Sequence, residues 1–114
     1  MSLDVSLIMP ACIVCTQGER TVFDANITHN LNDMAEAAGI YEACWHPEEI
    51  GATHARDIIS HLRKGLEWLR EHPAAAKEHN SPNGWGNYED FVPWVERYLE
   101  ACVKYPNARI EAWR

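Results

Sequence analysis

Cations are scarce in this 114-residue chain: ten lysines and arginines stand against seventeen acidic residues, a formal net charge of −7. That imbalance works against holding a nucleic-acid phosphate backbone or docking on an anionic membrane, so neither is expected as a partner. The basic residues are scattered and mostly alternate with glutamate, so they build no compensating patch. Long apolar runs are missing too. No stretch reaches the roughly 18 apolar residues that a membrane span requires. The apolar start, "MSLDVSLIMPACIVC", has no basic segment ahead of it and is interrupted by Asp4, so it makes a poor signal peptide. Met9 and Pro10 stand where a lipoprotein cleavage site wants small residues. A cytoplasmic location is the expectation, and the Asn26-Ile27-Thr28 sequon is then without consequence.

Catalytic signatures are also absent. There is no nucleophile elbow, P-loop or dinucleotide fingerprint. Glu48 and Glu49 are adjacent, so their carboxylates diverge rather than flank one bond. No catalytic residue is assigned.

What is present is enough for one core. The apolar fraction is 46%, which at this length argues for a single α+β domain over residues 1–114. Five tryptophans and four tyrosines suggest a core of large rings, with some left for a binding surface. Residues 3–9 alternate, with Leu3, Val5 and Leu7 on one face, and "TVFDANI" at 21–27 is β-branched and aromatic. Turn chemistry lies between them, so they read as a hairpin. Leu31, Met34, Ala35 and Ala38 then recur at helical spacing, with Asn30 as N-cap, Thr28 as competitor, and Gly39 as the stop.

"YEACW" is a short helical turn and "HPEEIG" a loop. Ile58, Ile59, Leu62, Leu66 and Leu69 form the stripe of a second helix, capped by Thr53 and ended by Pro73. "AAAKEH" adds a turn. A third helix starts near Asn87, with Asp90 at its third position. Pro93 is expected to kink it or to delay its start to about Val92. The ending "ARIEAWR" alternates as a third strand. The order β-β-α-α-α-β predicts a two-layer sandwich: a three-stranded antiparallel sheet packed by three helices.

Three stretches, "VFDANITHNLNDMAEAAGIYEACWHPEEIGA", "NSPNGWGNYEDFVPWVERYLEAC" and "YPNARIEAWR", carry a resemblance over nearly the whole chain. They resemble a family of small phage and bacterial proteins of unknown function. That family shares an N-terminal CxxC, an N-I-T-H-N-L strand-to-helix junction, an N-G-W-G-x-Y loop and a terminal strand. The resemblance implies a fold and a phage or bacterial source, and no activity. The chain departs from the family in lacking a glycine directly after Cys15, which counts against a knuckle-type metal turn.

Three clusters could carry function. Asn26, Thr28, His29 and Asn30 crowd one strand-to-helix junction. There, free backbone N–H groups and the helix dipole favour an anion or carboxylate, and His29 can change charge near neutral pH. Capping accounts for Thr28 or Asn30 but less readily for Asn26 and His29. Gly84-Trp85-Gly86 with Tyr88 offers an aromatic wall for a ligand or partner, or a plug over the core.

Cys12 and Cys15 have the spacing of a zinc pair, with Cys44 and His46 as the second pair. Against that, Ile13 and Val14 are bulky for a metal turn, and both cysteines also read as strand-packing hydrophobes. No redox context surrounds them. His54, Asp57 and His61 fall on one side of the second helix, where a solvated face is the simpler reading.

The reading that follows is a non-enzymatic binding module for a protein partner or small-molecule ligand, with Asn26, Thr28, His29, Asn30, Trp85 and Tyr88 as its site and no cofactor. The alternatives are a zinc-stabilised domain on Cys12 and Cys15, and a small hydrolase or transferase with His29 as general base. An exposed edge strand and surplus aromatics also make a homodimer a further reading.

Overall fold

The computed structural model of the chain describes residues 2–9, 18–80, 84 and 86–113. Strand β1 (Ser2–Met9) and strand β2 (Arg20–Thr28) pair antiparallel, Leu3 opposite Ile27 and Leu7 opposite Phe23. β3 (Arg109–Trp113) pairs antiparallel with the other edge of β1, giving the order β2-β1-β3. Alternation decides the faces, as a period of two requires. Leu3, Val5 and Leu7 are fully buried, while Asp4 between them is exposed. The α+β class and the three-stranded antiparallel sheet match the expectation.

Between β2 and β3 the chain is helical. A 3₁₀ turn (His29–Leu31) leads into α1 (Asn32–Ala37), followed by α2 (Tyr41–Trp45) and a second 3₁₀ turn (Pro47–Ile50). A third 3₁₀ turn (Ala55–Asp57) precedes α3 (Ile59–Glu71), α4 (Pro73–Lys77) and the long α5 (Tyr88–Lys104). Three helices were expected, and α2 and α4 are the two short turns that the periodicity also suggested.

The end of α1 shows why these breaks fall where they do. Gly39 adopts a φ of 78°, its N–H donates to Glu36 O, and the Ile40 N–H reaches back to Ala35 O at 2.9 Å. That closes the orphan carbonyls of the helix and turns Ile40 into the core. Pro73 opens α4 at its first position, where a missing N–H costs nothing.

Three local expectations need correction. Pro93 does not delay α5 to Val92, since the helix already begins at Tyr88. Tyr88 is pinned there: its N–H donates to Asn80 Oδ1 at 2.9 Å and its Oη to Leu69 O at 2.8 Å. Phe91 and Trp94, in turn, are buried on either side of the exposed Pro93. Tertiary anchoring outweighs the backbone bond that proline removes.

Thr28, not Asn30, caps the first helical turn, its Oγ1 accepting from Asn30 N–H at 3.3 Å. Finally, His54 and Asp57 lie ahead of α3 rather than along its face with His61. The Asp57 carboxylate accepts from the N–H groups of Thr53 and His54, each at 3.0 Å.

Those two backbone bonds hold the Asp57 carboxyl below its usual range. A carboxyl depressed in the folded state stabilises the fold above its unfolded pKa and loses that contribution as pH falls through the folded value. Asp57→Asn is therefore expected to flatten the acid limb of the stability curve below about pH 4. Urea titrations of both proteins at neutral and acid pH check this; identical acid limbs would refute it.

The core gathers Trp45, Phe91, Trp94 and Tyr98 with the strand aliphatics. Phe23 of β2 stacks on Tyr98 of α5 at 5.8 Å, fixing that helix along the strand. Cys44 and Cys102 are both buried as free thiols in this core. Burial pushes the Cys102 thiol up to about 12. Burial, then the nearby Cys102, pushes the Cys44 thiol up as well. Both stay protonated near neutral pH and pack as small hydrophobes. No described helix is long and apolar enough to cross a membrane.

Candidate functional site

The junction at the end of β2 and the loop before α5 lie almost sixty residues apart in sequence, yet they meet. Gly86 sits so close to the junction that a Cβ there would lie 3.1 Å from Asn30 Cβ and 3.2 Å from Thr28 Cγ2. Around this contact opens a cleft of about 590 Å³. Its lining includes Asn26, Thr28 and Asn30 from the junction, Gly84 and Gly86 from the loop, and Asp90 from the first turn of α5.

Within that lining the roles divide. Thr28 is a cap as well as a wall, since its hydroxyl oxygen accepts from Asn30 N–H. The Asn26 amide donates to Ser2 Oγ at 2.9 Å and to Asp4 Oδ1 at 2.7 Å. The carboxylate of Asp4 demands a donor, which fixes the amide's orientation and engages its N–H groups, so the acceptor Asn26 can offer a ligand is its carbonyl oxygen. The Asp90 carboxylate is the one charge in the described lining, and no cation accompanies it. The cleft therefore suits a donor-rich ligand, neutral or cationic, rather than the anion that a bare helix terminus would attract.

His29 faces a different cleft. A hollow of about 450 Å³ shares Asn30 with the first and is lined by His29, Asp33, Glu78 and His79. The His29 ring is tied to the core: Trp45 Nε1 donates to its Nδ1 at 2.9 Å. An indole nitrogen only donates, so Nδ1 supplies the lone pair and Nε2 carries the hydrogen in the neutral ring. Among the described residues, buried Nε2 has no hydrogen-bond partner. The lone pair that a general base needs is thus engaged by Trp45.

The same bond changes what a substitution at His29 should do. The sequence suggested a ligand contact at the junction. The structure makes His29 the acceptor for an indole that is 1% exposed. His29→Ala is expected to destabilise the fold by about 1–3 kcal/mol, because a buried donor loses its acceptor. Chemical denaturation measures this. A change under about 0.5 kcal/mol, the size of an ordinary surface substitution, would place the ring outside the core's support.

The other predicted residues separate. Tyr88 is a structural tie through Leu69 and Asn80, with Lys77 Nζ 5.4 Å from its ring centre, and it is not part of the cleft lining. Trp85, Cys12 and Cys15 lie outside the described residues. Of the proposed second zinc pair, Cys44 is fully buried. His46 instead faces Tyr41 Oη at 3.1 Å and the carboxylates of Glu48 and Glu49 at 3.5 Å. Among the described residues no group of three or more histidine, cysteine or acidic side chains is arranged to hold a metal.

Sequence reasoning missed Asp90 as a wall of the site and Asn80 as the anchor of α5. Each carried a signal. Asp90 follows the glycine loop at the third helical position, and Asn80 opens a loop of turn-forming residues.

No protein-family model, curated protein or solved structure matches this chain.

Proposed function

We propose that this chain is a non-enzymatic binding module, of the kind expected for a small phage or bacterial accessory protein, that recognises a protein partner or small-molecule ligand. One observation carries the reading: the strand-to-helix junction and the glycine loop, both singled out from sequence, converge on one cleft of about 590 Å³. Clefts of a few hundred cubic ångströms lined by a few convergent polar groups are where ligands bind. The Asn26 carbonyl and Asp90 carboxylate favour amide, amine or guanidine donors. Two buried free thiols suit a reducing compartment, in keeping with action in the cytoplasm.

The test is a screen of small amide-, amine- and guanidine-bearing fragments against ¹⁵N-labelled protein. Binders should perturb the amides of Thr28, Asn30, Gly84 and Gly86 together. Perturbations that cluster elsewhere, or a screen without binders, would overturn the reading.

A further inference from the structure

The sheet has one open edge among the described residues. β1 is paired on both sides. The outer edge of β3 is covered by residues 53–56, through Ile110 N–H to Thr53 O, an isolated bridge between His54 and Arg109, and Ala55 N–H to Ala108 O. β2 has no such cover: among the described residues no backbone bond outside the sheet involves residues 20–27, and Thr28 only opens the 3₁₀ turn that follows it. A break in register between Leu7 and Ile8 leaves Val22 unpaired on β2, so its regular stretch is Phe23–Thr28.

α5 runs beside that edge in the opposite direction. Its start, Asp90, shares the first cleft with Ile27 and Thr28. Further along, Tyr98 stacks on Phe23. A second hollow, of about 320 Å³, lies between Val22 and Phe23 on the strand and Arg97, Glu100, Ala101 and Lys104 on the helix, with Tyr105 just beyond it. From Phe23 to Thr28 the strand spans about 17 Å, and from Asp90 to Ala101 the helix spans about 16 Å. The two hollows therefore lie at the two ends of the strip where α5 runs along β2.

We propose that this strip acts as one groove and takes an extended segment of a partner protein, about six residues long, that adds antiparallel to the edge of β2. The inference rests on the binding-module reading and names its ligand class. Strand addition supplies affinity through main-chain hydrogen bonds, and the end hollows select alternate side chains. Charge sets the direction. An antiparallel segment brings its N-terminal side to Asp90 and its C-terminal side to Arg97 and Lys104, two cations against the one Glu100 carboxylate there. It should carry lysine or arginine near its start and an acid near its end. A second copy of this chain fits less well, because Phe23–Thr28 holds Asp24 and no cation and would set acid against Asp90.

The experiment pans a displayed library of random nonapeptides on the full chain, then follows selected peptides by amide hydrogen exchange and anisotropy. The expected result is a basic-to-acidic order in the selected peptides and slowed exchange at the amides of residues 23–28. Asp90→Lys should weaken those peptides at least tenfold. Peptides that bind without protecting β2, or that show no charge order, overturn this inference and leave the binding module intact. Protection of β2 without peptide, with a dimeric mass by light scattering, overturns it in favour of a second copy. A selection that enriches nothing also overturns it, while fragments perturbing Thr28 and Gly86 would still support the module.

Discussion

Gly65→Ala is expected to destabilise the protein by about 1–3 kcal/mol, the usual cost of forcing extra volume into a packed core. Helix propensity alone says the reverse. Alanine is about 1 kcal/mol better than glycine inside a helix, and Gly65 lies in the middle of α3. The difference lies in what a Cβ would meet. At Gly65 it would overlap Ile40 Cγ2 and crowd Cδ1 of the same side chain. Ile40 is fully buried and β-branched, so its methyl cannot swing aside without entering its neighbours.

Coupling gives the sharper test. With Ile40→Ala already in place, the overlap disappears and Gly65→Ala should become neutral or favourable. A double-mutant cycle by urea denaturation reads this as an interaction free energy. Additive effects, or a stabilised single variant, would mean that α3 does not approach Ile40 as closely as the structure has it.

Gly65 also marks the limit of what the chain discloses about itself. Periodicity carried the local elements, because a buried face imposes its spacing on the residues that form it. Leu3, Val5 and Leu7 gave a strand, Leu62, Leu66 and Leu69 gave a helix, and Gly39 gave a stop. Contacts between elements leave no such spacing. A glycine in mid-helix reads as a weakness until Ile40, twenty-five positions earlier, is seen against it.

His29 was legible as unusual, but the Trp45 indole that explains it was not. Pro93 was legible as a helix breaker, and the Leu69 and Asn80 anchors that override it lie outside any local window. The site follows the same rule. Both of its halves were visible as polar or glycine-rich punctuation. Their meeting in one cleft, and the membership of Asp90, depend on α5 lying beside β2.

The glycine that joins those halves gives the second large effect. Gly86→Ala is expected to cost about 2–4 kcal/mol, combining backbone strain with overpacking. The strain arises because Gly86 has a φ of 109°, a region L side chains rarely adopt. The overpacking arises because a Cβ would lie 3.1 Å from Asn30 Cβ, 3.2 Å from Thr28 Cγ2 and 3.3 Å from Leu31 Cγ. Gly39→Ala separates the two causes. Gly39 also has a positive φ, 78°, but among the described residues nothing lies within 4 Å of its Cβ position. It should show strain alone, about 1–2 kcal/mol.

If the two substitutions cost the same, the loop does not press on the junction and the cleft loses the contact that defines it. If Gly86→Ala costs more, the excess measures that contact. The resonances of Thr28 and Asn30 should then shift in Gly86→Ala and stay in place in Gly39→Ala. Binding should follow the same split, because a methyl at Gly86 displaces the wall that a ligand would touch, whereas one at Gly39 meets no described residue.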